Sequence, residues 1–156
     1  IRDLWRGDLV AFAIGCWFSA EAALLTRGIR LRHVELGIQG GLFRTRRPSK
    51  CSGAFGGPLV VSMRPFAAED VAAVETITAM HPEAHGAPVA VGENNDLGIA
   101  DLSRPDFGEV LLPLPGEVPV FWACGLTATE AARQAAPDIL ITHAPGAMLV
   151  TDRTAR

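Results

Sequence analysis

The sequence predicts an α/β or α+β fold, in which helices flank a mixed sheet of short strands. Short apolar runs rich in β-branched residues alternate along the chain with segments of helical periodicity. Hydrophobic residues make up 49% of the 156 residues and charged residues 20%, which is typical of a globular protein with a sizeable core. Because no repeat, linker or low-complexity tract interrupts this pattern, we expect a single domain over residues 1–156.

The N-terminal part of the chain predicts two helices followed by two strands. Residues 8–15 have an acid at the start and a glycine at the end, which is typical of a buried helix. Ser19 is placed to cap a second helix over residues 20–27, which Gly28 would end. Alternation of apolar and polar residues then predicts strands over 31–36 and 42–47.

The central part of the chain predicts a strand and a helix, then short pieces separated by Pro and Gly, then a second strand and helix. The two strands, residues 58–65 and 118–125, are β-branched apolar runs and should be buried. The first helix covers residues 67–80. For the second helix, around residues 128–136, Thr127 or Thr129 is placed at the N-cap.

The stretch "ITHAPGAMLVTD", residues 141–152, predicts two short strands around a Pro145-Gly146 turn. His143 and Asp152 then lie at the ends of these strands. For His143 the alternatives are an active-site role and a hydrogen-bonded structural histidine. We expect Asp152 to be structural.

The composition disfavours several classes of partner. A net charge of −3 and a pI of about 5.8 favour neither nucleic acid nor an anionic membrane. The longest apolar stretch, residues 9–18, is too short to span a bilayer. Three widely spaced cysteines form no disulfide or zinc-ribbon pattern, so we expect a reducing compartment, the cytoplasm. The high apolar fraction favours a homo-oligomer.

Several polar residues are candidates for chemistry. His33 and Glu35 share one face of their predicted strand and could move a proton or bind a metal; the alternative is a half-buried structural pair. Arg44 belongs to a basic cluster that suits carboxylates, or else forms a solvated strand edge. Arg64 ends an apolar strand, where open α/β sheets bind ligands; the alternative is a structural ion pair.

Further candidates lie next to glycines. His85 precedes a predicted strand and is favoured over His81 as a functional residue. Cys124 comes just before a helix, where a thiol can become nucleophilic, although such a cysteine is more often a small buried hydrophobe. The run "GAFGGP" contains Gly56 and Gly57, whose amides could hold an anion or simply form a tight turn. None of these motifs is diagnostic.

Seven strings together give a more specific indication. They are "DLVAFAIGCWFSAEAALL", "RHVE", "GPLVVSMRP", "HGAPV", "GIADLSRPDFG", "VPVFWACG" and "ITHAPGAMLVTD". In this order they resemble the hydro-lyase family that includes the D-glutamate cyclases. The resemblance covers essentially the whole chain, which is similar to the C-terminal portion of a longer family member. It implies an enzyme that cyclises D-glutamate to 5-oxo-D-proline with loss of water.

That reaction assigns roles to the candidate residues. The amine must lose a proton and the leaving oxygen must gain one, so His143 and Glu35 are the acid/base candidates, with His33 and His85 orienting or polarising. Arg64 would anchor the α-carboxylate, with Arg44 as the alternative, and we include Ser62 and Cys124 among the substrate-binding residues. Amides at Gly56 and Gly57 would hold the oxyanion. We expect neither metal nor cofactor, because the attack is intramolecular.

Two alternative functions stay open at this point. The chain could be a non-catalytic module that binds small carboxylates, or a hydro-lyase acting on another amino or hydroxy acid. In each case the expected ligand is a small carboxylate.

Overall fold

An antiparallel sheet of five strands forms the centre of the protein. The computed structural model describes residues 1–92 and 95–152. Its strands run in the spatial order β3-β5-β2-β1-β4. Their bounds are β1 Gly41–Pro48, β2 Pro58–Ala67, β3 Ala90–Val91, β4 Phe107–Gly108 and β5 Glu117–Ala123. The predicted class is confirmed, and because every described strand pair is antiparallel, α+β is the form observed.

Four α-helices and several 3₁₀ turns flank this sheet. The helices are α1 Glu21–Thr26, α2 Arg32–Leu36, α3 Val71–Ala79 and α4 Leu126–Ala135. The 3₁₀ turns are Arg2–Leu4, Trp17–Ala20, Ala68–Asp70, Pro82–Ala84 and Asn95–Leu97. Within the described ranges, no helix has the length and apolarity needed to cross a membrane.

The central strand β2 supports a core on each face of the sheet. Val61 and Met63 point to one face, where they pack with Phe43, Phe121 and other apolar side chains. The opposite face carries a second core, built from aromatic and aliphatic residues of the sheet, the 3₁₀ turn before α1, and helices α1 and α3. On that face two polar side chains of β2, Ser62 and Arg64, are also buried.

The long elements were predicted correctly. The strands predicted over 42–47, 58–65 and 118–125 correspond to β1, β2 and β5, and the helices predicted over 20–27, 67–80 and 128–136 correspond to α1, α3 and α4. The predicted caps were wrong. Neither α1 nor α4 has a side-chain N-cap, and the Thr127 hydroxyl instead bonds the backbone of Val60 in β2.

Two N-terminal predictions were also wrong. Residues 8–15 form no helix and are mostly exposed, with Val10 76% and Phe12 84% accessible. Most of their apolar side chains stay exposed in the described chain, so burial does not offset the entropy of ordering a helix. Residues 32–36 form helix α2 rather than a strand, and Gly37 ends it at φ +65°. In a segment this short, alternation does not distinguish a strand from one helical turn.

The C-terminal strands are absent as well. Ala147 N–H donates to the Ala144 carbonyl at 2.9 Å, so the Pro145-Gly146 turn is confirmed. The described residues on either side belong to no strand and are mostly exposed. An apolar run needs a neighbouring strand to satisfy its backbone, and this segment has none among the described residues.

Candidate functional site

The side chain of Arg64 is buried without a carboxylate partner among the described residues. It is 2% exposed, and its Nη1 donates to the neighbouring Met63 carbonyl at 2.8 Å. The guanidinium carbon lies 5.2 Å from the ring centre of Trp17 and 5.6 Å from that of Phe18. These aromatic contacts give some electrostatic compensation, but they do not use the guanidinium hydrogens.

Burial lowers the pKa of Arg64 to about 10, because an apolar environment disfavours the charged form. The Glu21 carboxylate opposes this effect most strongly among its neighbours, followed by Cys124, Cys16 and Glu109. The pKa of about 10 nevertheless leaves Arg64 positively charged at neutral pH. Such a cation would be stabilised by an anion placed against it.

Two more polar atoms beside Arg64 lack partners. Trp17 Nε1, Ser62 Oγ and Arg64 Nε are the buried side-chain polar atoms that have no hydrogen-bond partner in the described chain. Ser62 lies two residues before Arg64 on the same face of β2, opposite Trp122 of β5. Buried polar atoms are normally satisfied, so three exceptions on one face indicate a place for a polar ligand.

His33 and Glu21 form a hydrogen-bonded pair next to this face. His33 is 3% exposed, and its Nε2 lies 2.7 Å from Glu21 Oε1. The imidazole stacks on Phe18 at 6.3 Å between ring centres and tilts against Trp17 at 5.6 Å. The same two aromatic rings therefore contact both His33 and Arg64. Glu21 is the first residue of α1, and its side chain is 22% exposed.

Cys124, between β5 and α4, lines a pocket. The pocket measures about 320 Å³ and is lined by Lys50, His85, Cys124 and Thr127 among other residues. Burial raises the pKa of Cys124, although the backbone N–H groups of Leu126 and Gly125 oppose the rise. Cys124 is therefore mainly a thiol at neutral pH. Burial also lowers the pKa of His85, which is neutral there.

Other predicted residues have local partners. Glu35 is bound by Arg30, with the closest contact at 2.7 Å, and does not share a face with His33. Arg44 bonds Glu130 at 3.0 Å and Asp106 at 3.1 Å, so its charge is already neutralised. A carboxylate would have to displace these groups to reach it.

His143 is exposed and lies in coil. The turn after it is joined to Gln39, whose side-chain amide donates to the Gly146 carbonyl at 3.3 Å. Gly40, the next residue, is packed against Arg64: a Cβ there would come 3.0 Å from Arg64 Nη1. The segment that carries His143 therefore adjoins the region of Arg64, while no hydrogen bond fixes the imidazole among the described residues.

The glycine loop is held by its own polar groups. The Gly57 carbonyl accepts hydrogen bonds from the Ser49 backbone at 2.8 Å and from the Ser49 hydroxyl at 3.0 Å. A Cβ at Gly56 would come 2.9 Å from Cys51 Sγ, so the loop is closely packed. The predicted role of its amides in holding an oxyanion stays a prediction.

The structure thus brings together Arg64, Ser62 and His33, and it adds Glu21 and Trp17, which the sequence analysis did not single out. Trp17 and Glu21 are four residues apart, the spacing that places side chains on one side of a helical turn. That spacing, next to a buried-looking Trp, was the available signal. Within the described ranges, no three His, Cys, Asp or Glu side chains converge as a metal site would require.

Residues 10–152 match the family described as D-glutamate cyclase. The chain belongs to the D-glutamate cyclase family. The match includes every residue of the Arg64 site: Trp17, Phe18, Glu21, His33, Ser62 and Arg64. The resemblance found in the sequence is therefore confirmed.

Three bacterial relatives of this D-glutamate cyclase family member carry the name "Putative hydro-lyase". The protein of Bordetella petrii is 51% identical over 152 residues, which is 97% of this chain and 58% of the relative. The Methylobacterium protein is 52% identical, with 98% and 57% of the two chains covered. The Mycolicibacterium gilvum protein is 53% identical, with 96% and 57% covered. The chain thus spans less than three fifths of the length of these relatives.

Proposed function

We propose that this member of the D-glutamate cyclase family is a hydro-lyase that converts D-glutamate to 5-oxo-D-proline and water, and that Arg64 binds the substrate α-carboxylate. The observation that carries the proposal is the burial of Arg64 without a carboxylate partner among the described residues. A carboxylate bound there would supply the missing counter-charge and accept from Arg64 Nε. Ser62 Oγ and Trp17 Nε1 are further donors on the same face.

Cyclisation depends mainly on how the site orients the amine and the γ-carboxyl group of the substrate toward each other. The amine and the γ-carboxyl group belong to one molecule, so a site that holds the substrate folded supplies much of the rate, and the proposal includes no cofactor. An acid/base group must also move protons from nitrogen to oxygen. Among the predicted acid/base and orienting residues, His33 shares its aromatic contacts with Arg64, since both contact Trp17 and Phe18.

A carboxylate-binding module without turnover is the second candidate. The observation that favours it is the separation of the two predicted acid/base residues, because Glu35 is paired with Arg30 and His143 is exposed without a fixed partner among the described residues. Such a module would use Arg64 in the same way and would release its ligand unchanged.

Proton NMR separates the two candidates. D-glutamate and 5-oxo-D-proline are incubated with the unsubstituted chain and with Arg64→Met, and the L-enantiomers serve as controls. Conversion of the D-enantiomers that disappears in the variant supports the cyclase. Ligand line broadening without conversion, again lost in the variant, supports the module.

The control variant is Arg30→Met, which removes an exposed arginine that binds Glu35. It should behave like the unsubstituted chain. If the unsubstituted chain neither binds nor converts these compounds, both candidates are contradicted. Full activity of Arg64→Met would contradict the role given to Arg64.

A further inference from the structure

Glu21 and Arg64 carry opposite charges and lie close together, yet they form no ion pair. Glu21 has the largest favourable electrostatic effect on Arg64 of any nearby group. The hydrogen bond of its carboxylate goes instead to His33, at 2.7 Å. Arg64 in turn directs Nη1 to the Met63 carbonyl and leaves Nε without a partner. Two opposite charges are therefore held near each other with hydrogen-bonding capacity left unused.

The aromatic residues Trp17 and Phe18 hold this arrangement. They are part of the 3₁₀ turn that leads directly into α1, and Glu21 follows as the first helical residue. Their rings contact Arg64 on one side and the imidazole of His33 on another. Because Trp17 is 3% exposed, the charges lie beside an apolar wall, where electrostatic interactions are stronger than in water.

A neighbouring cation and anion match the two charges on the α-carbon of an amino acid. A carboxylate on Arg64 places the α-substituent of the ligand near the other charged side chain. We infer that Glu21 binds the α-ammonium group of the substrate, so that the site selects α-amino acids over α-hydroxy acids. This inference rests on the proposed carboxylate site at Arg64.

The same position suits Glu21 for the proton transfers of cyclisation. An ammonium and a carboxylate condense to an amide and water, so two protons must pass from nitrogen to the departing oxygen. Glu21 takes one proton from the ammonium, and the nitrogen lone pair forms the new C–N bond to the carbon of the γ-carboxyl group. Glu21 then gives that proton to an oxygen of the tetrahedral intermediate, takes the second from nitrogen and delivers it as the C–O bond breaks. Glu21 ends as it began, a carboxylate.

His33 acts through Glu21 and is a positioning residue. Its Nε2 contact fixes one carboxylate oxygen, and the other oxygen is left to face the ligand. The partial exposure of Glu21, at 22%, gives the carboxylate the access that the buried imidazole lacks.

The test compares two ligands that differ only at the α-substituent. D-glutamate and D-2-hydroxyglutarate are titrated by calorimetry into the unsubstituted chain and into Glu21→Gln, and conversion is followed by NMR in the same samples. Gln keeps an oxygen that accepts from His33, so the fold should be retained, which thermal melting checks. Glu75→Gln is the matched control, because it makes the same substitution at an exposed position of helix α3.

The unsubstituted chain should bind D-glutamate about 10- to 100-fold more tightly than D-2-hydroxyglutarate, the ratio expected for one charged hydrogen bond. Glu21→Gln should abolish that preference, because it weakens the binding of D-glutamate and leaves the binding of D-2-hydroxyglutarate unchanged. The rate of any conversion should fall by at least about 100-fold. Glu75→Gln should keep the preference.

Two results would overturn the inference, and they differ from each other. If the unsubstituted chain binds both ligands equally, or if Glu21→Gln keeps the preference for D-glutamate, then Glu21 does not bind the α-ammonium group. The proposed carboxylate site at Arg64 is unaffected by either result. If neither ligand binds, the carboxylate site is wrong and the assignment of Glu21 falls with it.

Discussion

Replacing Arg64 by Met should stabilise the free protein, although it removes a native side chain from the core. Burial lowers the pKa of Arg64 from its ordinary value to about 10 in the folded state. At about 1.4 kcal/mol per pKa unit, burying this charge therefore costs about 3 kcal/mol relative to the unfolded chain. Met keeps the unbranched stem and carries no charge, so we expect a gain of about 1–3 kcal/mol in the free energy of unfolding at pH 7.5.

The pH dependence has a definite sign. Because the folded pKa lies below the unfolded one, the folded chain binds fewer protons at pH values between the two pKa values. The unfavourable contribution of Arg64 is therefore fully present below about pH 10 and decreases as the pH rises above it. At pH 7.5 the unsubstituted chain and Arg64→Met should thus show the full difference in the free energy of unfolding.

Arg32 is the matched control, since it is a second buried arginine that has its partners. It is 9% exposed and binds the carboxylate of Glu117 and the carbonyl of Leu112. Arg32→Met leaves Glu117 half-buried without its cation, so the free energy of unfolding should fall by about 3–5 kcal/mol. Two chemically identical substitutions are therefore expected to change stability in opposite directions.

Urea unfolding followed by tryptophan fluorescence measures both variants, with equal m-values as the condition for comparing midpoints. A loss of more than about 2 kcal/mol in Arg64→Met would refute the reasoning, because it would show that the aromatic contacts and the Met63 bond outweigh desolvation. A carboxylate ligand at saturating concentration should raise the midpoint of the unsubstituted chain and leave that of Arg64→Met unchanged.

Three other predictions concern neighbouring elements. Burial raises the pKa of Cys124, so mass spectrometry should find it alkylated by iodoacetamide at pH 8 at least about tenfold more slowly than the exposed Cys51. Equal rates would contradict this. Burial lowers the pKa of His85, so as the pH falls below about 6.5 the unfolded chain takes up a proton first and folding stability decreases. His85→Gln should flatten that decrease in urea midpoints, and an unchanged slope would exclude His85 as its source. Thr127→Ala removes the acceptor of the Val60 N–H in β2, whereas the Val60 carbonyl keeps its bond from the Cys124 N–H, and the variant should lose about 1–3 kcal/mol by urea unfolding. The control Thr129→Ala should change stability by less than about 0.5 kcal/mol, and equal losses would refute the role of the hydroxyl.

The elements predicted correctly are those whose burial is indicated by the pattern of apolar residues in the sequence. β2 and β5 are continuous apolar runs longer than a helical turn, so a buried strand was the consistent interpretation. In α3, helical spacing extends over several turns. Each of these segments contains enough residues for its period to be distinguished.

The wrong elements depend on neighbours that no local pattern reveals. Residues 8–15 are as apolar as β2, but they find little surface to pack against among the described residues, so most of the run is exposed and forms no helix. Residues 32–36 were assigned to a strand because Leu31, His33 and Glu35 alternate with other residues. In the structure, Leu31 and His33 are buried and Glu35 is exposed, as one turn of helix allows. Because of this error, the sequence analysis paired His33 with Glu35, whereas the hydrogen-bond partner of His33 is Glu21.

The same distinction explains which site residues were predictable. A charge inside an apolar run is visible in the sequence, and Arg64 was identified in this way. Glu21 begins an ordinary amphipathic helix, so only the packing of α1 against α2 shows that its carboxylate meets His33. A single residue's chemistry can be read locally, whereas the convergence of two residues 43 positions apart, Glu21 and Arg64, is a property of the fold.

The free energy of burying the charged Arg64 side chain affects both the stability of the protein and the proposed binding of a carboxylate. Desolvation of the guanidinium lowers the stability of the free chain, and an incoming carboxylate removes most of that unfavourable term when it supplies the counter-charge. The unfavourable free energy of burying the Arg64 charge would thus contribute to affinity for an anion. The position of Glu21 is consistent with this account, because an ion pair between Glu21 and Arg64 would have satisfied Arg64 and reduced that affinity. With the Glu21 carboxylate bound to His33 instead, Arg64 keeps its capacity for a ligand carboxylate, and the free side of Glu21 is available to the group on the ligand that carries the opposite charge.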